Sequence, residues 1–248
     1  MWSVTTLQIG YPGRSTHHGT LGWSTIGLAR GPGGRIALLD TGGFAARRVI
    51  ARGLAAQGLS PADVTDLLLT HLHHDHMINW PMFGSATIHA PRAEMAWALA
   101  QPDGHESLCE TALRALSTCP RLRLFDPGEE VLPGVATAEY PGHTPHHVAF
   151  TLAGDPPTLF SADIAKNRIE LLTGEADMTL DAERHRDSIA RLRAAWAALP
   201  GAVLMPGHDA PMLLDPEGKP RPLRPLEAGI EAWFGASLAE MTRFSLVP

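Results

Sequence analysis

Cysteine is nearly absent: Cys109 and Cys119 are the two in 248 residues, and they lack CxxC spacing. Two thiols cannot build a disulfide framework, so reduced cysteines in a cytoplasmic protein are expected. Long apolar runs are missing as well. None approaches the ~20 residues that cross a bilayer, and residues 1–6 lack the basic start and apolar core of a signal peptide. Positive charge is in short supply, with 20 Lys and Arg against 26 Asp and Glu for a net charge of −6. That balance argues against nucleic acid or an anionic membrane as the main partner. No repeat, low-complexity tract or linker divides the chain, so residues 1–248 are expected to form a single domain. With 44% hydrophobic and 19% charged residues, the composition is that of an ordinary globular protein able to bury a sizeable core.

Histidine is what the chain has in quantity, at 13 residues, and its distribution is uneven. Thr70-His71-Leu72-His73-His74-Asp75-His76 follows an apolar run over residues 64–69 that reads as a buried strand. Side chains two apart on an extended segment point the same way, so His71 and His73 can share one metal ion. Asp75 and His76, at the turn into a helix, can face a second. Imidazole suits zinc, copper, iron and nickel, and a neighbouring carboxylate favours a hard, hydrolytic ion. His74, between these residues, should point away.

Three later segments place a strand just before another ligand-type residue. Tyr140-Pro141-Gly142-His143-Thr144-Pro145 follows one, Leu159-Phe160-Ser161-Ala162-Asp163 ends another, and Val203-Leu204-Met205-Pro206-Gly207-His208-Asp209 repeats the pattern. Taken singly, a Pro-Gly-His is commonly a turn. Together with the cluster at 71–76 they are what a metal cleft along one rim of a sheet requires. Elsewhere the sequence predicts strands over residues 4–9, 21–29, 36–39, 87–90, 122–125, 135–139, 148–152, 158–160 and 202–205. Helices are expected over 44–57, 91–100, 106–117 and 181–199, with a closing helix starting in 224–234. The last of the central group has Ile189, Leu192, Trp196 and Leu199 at helical spacing.

The ordered series Leu-Leu-Asp-Thr-Gly-Gly at Asp40, Thr-His-Leu-His-His-Asp-His, Gly-His-Thr-Pro, Ser-Ala-Asp and Pro-Gly-His-Asp resembles the metallo-β-lactamase-fold superfamily. The resemblance implies an α/β fold, a four-layer αββα sandwich with a metal site at one edge of its two sheets. It implies His71, His73 and His143 on a first ion and Asp75, His76 and His208 on a second, with Asp163 bridging them. Asp40 would be a buried acid that orients ligands without touching metal. Two zinc ions fit such N/O ligation, with iron or manganese as alternatives. Ions some ~3.5–4 Å apart can share a water, lower its pKa and present hydroxide to an electrophile, with no serine or cysteine nucleophile.

Within that superfamily the residues point to a lactone or another small carboxylic ester as substrate. Dedicated β-lactamases of this fold generally lack the bridging acid, and oxygen-reducing di-iron relatives carry a carboxylate where His73 stands. Nucleases tend to add a domain and a basic surface. The alternatives are a mononuclear iron dioxygenase acting on sulfur compounds of the persulfide type and a glutathione-thioester hydrolase, although residues 209–248 are short for the latter's added helical region. Lactonases often place a tyrosine three residues after the bridging acid, where this chain has Lys166. Catalysis is accordingly expected to rest on Asp75, Asp163 and Lys166, the lysine being either a stabiliser of developing oxyanion charge or a solvated loop cation. The loop 11–23, the segment 78–83 and the segment after Asp163 are expected to wall the cleft; Trp80, Met82 and Phe83 are expected more often to pack into the core, with at least one able to face an apolar substrate. His17, His18 and His146 are further candidates for substrate contact, His147 reads as a loop residue, and His89, His105 and His185 read as incidental. Oligomeric state is left open.

Overall fold

A computed structural model of the chain describes residues 1–247. Its first half runs β1 (Ser3–Gln8), a short hairpin of β2 (Arg14–Ser15) and β3 (Gly19–Thr20), β4 (Ile26–Arg30) and β5 (Ile36–Leu39). It continues through α1 (Arg47–Ala56), β6 (Asp66–Leu68), α2 (His74–Met77), β7 (Thr87–Pro91), α3 (Arg92–Ala100), α4 (Glu110–Ser117) and β8 (Leu122–Phe125). These build one six-stranded sheet in the order β1-β4-β5-β6-β7-β8, with β5 through β8 mutually parallel. The second half contributes β9 (Glu130–Leu132), β10 (Val135–Glu139), β11 (Val148–Leu152), β12 (Thr158–Ala162), α5 (Arg168–Thr173), α6 (Ala182–Ala197), β13 (Val203–Pro206), β14 (Met212–Leu214) and β15 (Pro220–Pro222). Here the seven-stranded order is β15-β14-β13-β12-β11-β10-β9, and only β12 and β13 are parallel neighbours.

Alternation along each strand decides how the layers stack. Leu67, in the middle of β6, and Leu69, just after it, pack with Ile50 and Leu54 of α1, Met95 of α3 and Leu113 of α4. Leu68 points the other way and joins Leu39, Phe150, Phe160 and Met205 between the two sheets. In the second sheet Phe160 faces inward, while Leu159 and Leu204 face out against Leu171, Leu192 and Trp196 of α5 and α6. Period-2 side-chain direction on strands that are buried on both faces therefore produces four layers, αββα. The architecture matches the sequence-based expectation, as does the period of α6, where Ile189, Leu192 and Trp196 are buried.

Several boundaries differ. The strand expected over 21–29 is confined to Ile26–Arg30, because the preceding residues serve the bridge between Tyr11 and Trp23. The helix expected over 106–117 begins at Glu110. Helix α5 has no counterpart in the sequence reading, although its signals are present: Asn167 Oδ1 accepts the Ile169 and Glu170 N–H groups, and Gly174 ends the helix at φ +75°. The closing helix of 224–234 is a β-hairpin instead, β16 (Gly229–Trp233) against β17 (Met241–Ser245). Ile230, Trp233 and Phe234 have the i, i+3, i+4 spacing of a helix in sequence, which is why the pattern misleads; pairing of Gly229–Trp233 with Met241–Ser245 decides the strand. No helix among the described residues is long and apolar enough to cross a membrane.

Candidate metal centre

The C-terminal ends of parallel strands gather loops at one rim, and the chemistry-bearing residues of both halves meet there. Asp40 follows β5, and Thr70 through Asp75 link β6 to the first turn of α2. His143 lies between β10 and β11, Asp163 directly follows β12, and His208 follows β13. The parallel pairing of β12 with β13 brings Ala162 beside Pro206 and thus Asp163 beside the Gly207-His208 turn. Gly207 is required at that approach, because a Cβ there would stand 1.9 Å from Asp163 Oδ1. Ala162, immediately before Asp163, is held at φ +42°, a strained setting for a residue with a Cβ.

The donor atoms converge in three overlapping groups. His71, His73 and His143 offer atoms within 4.8 Å of one another, as do His71, His76 and Asp163, and Asp75, His76 and His208. Asp163 sits between the imidazoles of both sides: Oδ1 lies 3.2 Å from His76 Nε2, and Oδ2 lies 3.3 Å from His143 Nε2 and 3.4 Å from His208 Nε2. Asp75 Oδ2 is 3.6 Å from His76 Nε2 and 3.5 Å from His208 Nε2. His73 Nδ1 approaches His143 Nε2 at 3.0 Å. Every residue of the expected ligand set is thus brought to one place.

The protein fixes which nitrogen each ring presents. Asp40, fully buried, accepts the Thr70 N–H on Oδ1 at 2.9 Å, and on Oδ2 the Thr70 hydroxyl and the His76 Nδ1–H, both at 2.8 Å. The Thr70 hydroxyl, its proton given to Asp40, accepts from His71 Nδ1 at 3.1 Å. His143 Nδ1 donates to Met178 O at 3.0 Å. With Nδ1 protonated on these three rings, Nε2 is the nitrogen that faces the cluster. His71 Nε2 and His73 Nε2 are buried with no hydrogen-bond partner, and His76 Nε2 and Asp163 Oδ1, though 3.2 Å apart, are not aligned for a hydrogen bond. Buried polar atoms almost always have one. Convergent, partnerless nitrogen and carboxylate donors fit a divalent transition metal.

Electrostatics agree with that fit. Burial, reinforced by the neighbouring imidazoles, holds His71 well below its ordinary range, and burial does the same to His143. Both are neutral donors, the form that a metal requires. His76 moves the other way, since Asp75 and Asp163 outweigh burial and raise it well above the usual value. Asp163 is driven well below the carboxylate range by His208, His76 and His143 despite its burial.

Other residues fall differently from expectation. Lys166 is 9% exposed, so it is not a solvated loop cation. Its ammonium lies 3.1 Å from Glu170 Oε1, and its backbone N–H donates to Glu170 Oε2 at 2.7 Å. Trp80 and Phe83 do not wall the cleft: a turn at Trp80–Met82 drives both into the core beneath the helices, and Met82 packs against them. His17 and His18 are exposed in the β2–β3 turn. His74 points out, as expected, with its Nδ1 3.2 Å from Ser107 O. His146 pairs with Glu139 at 2.8 Å. His89, far from incidental, is paired with buried Asp66 at 2.9 Å.

Sequence reasoning missed two histidines that support the centre. His147 is fully buried, stacks on His71 at 4.4 Å, and accepts the Asp163 N–H on Nε2 at 3.3 Å. His185 on α6 links Thr179 Oγ1, 2.8 Å from Nδ1, to Ile164 O, 3.0 Å from Nε2. The turn carrying His143 lies so close to α6 that a Cβ on Gly142 (φ +139°) would meet His185 backbone at 2.3 Å. The adjacency of His146 and His147 to the Gly-His-Thr-Pro segment was the one available signal for the first. Nothing local marks the second.

Residues 20–208 match the family model of the metallo-beta-lactamase superfamily. The chain is 30% identical over 199 residues to metallo-beta-lactamase domain-containing protein 1 of Xenopus laevis, covering 79% of this chain and 74% of that protein. It is 28% identical over 154 residues to an N-acyl homoserine lactonase of a Bacillus species, covering 61% of this chain and 58% of that one. Among solved structures, AidC, a dizinc quorum-quenching lactonase with a bound product, superposes with a TM-score of 0.68 at 19% identity, covering 83% of this chain and 81% of its own. That last likeness is one of fold.

Proposed function

Because the chain belongs to the metallo-beta-lactamase superfamily, we propose that residues 1–248 form a single hydrolase domain that holds two zinc ions and opens lactones or cleaves other small carboxylic esters. The observation that carries the reading is the convergence of five imidazoles and two carboxylates at one rim, with His71 Nε2, His73 Nε2, His76 Nε2 and Asp163 Oδ1 buried and without a hydrogen bond. His71, His73 and His143 would hold the first ion and Asp75, His76 and His208 the second, with Asp163 shared between them. An all-nitrogen-and-oxygen set rich in imidazole suits zinc, and iron or manganese could occupy the same donors. When bound, such a pair supplies Lewis acidity toward the ester carbonyl and a water acidified to near neutrality.

The chain's own groups do the remainder. Asp40 holds a proton of His76 directly, and one of His71 through the Thr70 hydroxyl, on the nitrogens turned away from the centre, so that Nε2 of each ring faces it and His76 would shed its second proton to bind a metal. The Asp75 side chain is 25% exposed, against 10% or less for the other ion-pairing donors, and is the carboxylate placed to exchange protons with solvent during turnover. Lys166, pinned by Glu170, carries a fixed positive charge close enough to disfavour protonation of His143. It is assigned to stabilise developing oxyanion charge or a substrate carboxylate. The converging donors are histidines and aspartates, and on this reading the nucleophile is a metal-activated water. The Bacillus lactonase relative supports the ester and lactone class.

The test joins elemental analysis with a panel of lactones, oxygen esters and glutathione thioesters. Two zinc ions per chain and chelator-sensitive hydrolysis of a lactone or oxygen ester are expected. His73→Ala or His143→Ala should weaken one of the two equivalents preferentially. A reproducible single iron with oxygen consumption on a persulfide would replace the hydrolase reading with that of a dioxygenase. Turnover confined to thioesters would move the substrate class.

A further inference from the structure

Glu94 is a residue the metal centre does not use directly and the sequence does not mark. It stands in the first turn of α3, just past β7, and is fully buried. A carboxylate is rarely buried completely without a partner charge, yet no Lys, Arg or His pairs with it among the described residues. Three hydrogen-bond donors hold it instead. Oε1 accepts the Leu72 N–H at 3.4 Å, and Oε2 accepts the Thr144 hydroxyl at 2.9 Å and the His146 N–H at 3.3 Å.

The identity of those donors gives the contact its meaning. Leu72 lies between His71 and His73, and Thr144 directly follows His143. One side chain therefore ties together the two segments that carry the whole first group of converging imidazoles. The segments come from different sheets, and among the described residues, apart from the packing of the His71, His73, His143 and His147 rings, the other direct link is Val148 N–H to Thr70 O at 3.1 Å. Leu72 and Thr144 are themselves fully buried, so neither donor finds water if the carboxylate is removed. Burial lifts Glu94 to about 7 against the pull of these hydrogen bonds, so the fold keeps the carboxyl there at a cost.

We infer that Glu94 is a positioning residue for the first metal subsite, setting the separation of the His71–His73 segment from His143 and so the affinity of that subsite alone. The inference rests on the dinuclear reading above. Asp75, His76 and His208 touch neither Leu72 nor Thr144 through Glu94 and should not feel its loss. A glutamine can keep two of the three contacts, with Oε1 accepting the Leu72 N–H and Nε2 donating to a rotated Thr144 hydroxyl, while the His146 N–H loses its acceptor. An alanine cannot.

Chelator competition on the zinc-loaded full-length protein, resolving the two equivalents, tests this together with thermal unfolding of the metal-free protein. Glu94→Ala should weaken one equivalent by about 10–100-fold, the usual size of a loss transmitted through a ligand's support, and leave the other near wild type. Glu94→Gln should restore most of that affinity. Thr144→Val, which removes one hydroxyl and keeps the volume, should weaken the same equivalent by about 2–10-fold. That variant serves if alanine at 94 unfolds the chain. Equal weakening of both equivalents, or a fall in metal-free stability with both affinities unchanged, would return Glu94 to general support of the fold. Wild-type protein that binds fewer than two ions would overturn the dinuclear reading and this inference together.

Discussion

Asp40→Asn isolates the tautomer argument. Asparagine tolerates the left-handed backbone of this position, φ +55°, where alanine would add roughly 1–2 kcal/mol of strain. Its Oδ1 can still accept the Thr70 N–H. Its Nδ2 then replaces the oxygen that receives both the Thr70 hydroxyl and the His76 Nδ1–H. The hydroxyl can rotate and accept, keeping a second lone pair for His71 Nδ1. The imidazole of His76 has no such freedom: Asp75 and Asp163 favour its doubly protonated form, so two donors would face each other unless Nδ1 gives up its proton and leaves the other on Nε2, which faces Asp163 Oδ1 at 3.2 Å. Metal binding by His76 must then reverse that tautomer, which should weaken one equivalent by about 10–100-fold, or about 1.4–2.7 kcal/mol. The metal-free protein sheds a buried charge and keeps its contacts, so its stability in urea should change by less than about 1 kcal/mol. Chelator competition with zinc, read beside urea unfolding of the metal-free protein, measures both quantities. Unchanged affinity, or a loss as complete as that in His76→Ala, would refute the reasoning.

Lys166→Met should lower kcat/KM on the true substrate by roughly 10–1000-fold with both metals retained; unaltered kinetics would leave the buried ammonium as Glu170's partner only. Gly207→Ala should displace Asp163, since its Cβ would fall 1.9 Å from Oδ1, and elemental analysis should find fewer than two ions in a chain whose circular dichroism is unchanged. Metal-free wild type and Glu94→Gln should differ in their pH dependence. Glu94 sits at about 7 in the fold against an ordinary 4.5, so between those values the unfolded chain has released a proton that the folded chain keeps. Stability should therefore fall as pH rises from about 4.5 to 7, by up to roughly 3 kcal/mol, and the glutamine variant should lack that slope in urea titrations.

The convergence of the candidate donors was legible in the sequence because such residues bunch where the backbone makes them share a direction. His71 and His73 alternate at the end of one strand, and Asp75 and His76 enter the following turn. His143, Asp163 and His208 each stand beside glycine or small residues at the end of a strand, a local signature legible without contacts. Layer order was equally local: Leu67, Leu68 and Leu69 point alternately to helices and to the facing sheet, because side chains on a strand have a period of two.

What supports the ligands was decided by tertiary structure. Glu94 reaches Leu72 and Thr144 across 22 and 50 residues of sequence, and His185 reaches Ile164 across 21. A single glutamate or histidine on a helix carries no mark of which loop will pack above it. Burial is likewise a property of the assembled layers. Lys166 has the sequence context of a surface loop and becomes enclosed only when α5 folds Glu170 back onto it, while Trp80 and Phe83 turn into the core because α1, α3 and α4 leave an apolar volume there. Ligand identity follows from the nearest few residues. Ligand protonation, support and surroundings follow from chain segments that meet only once both sheets have closed on each other.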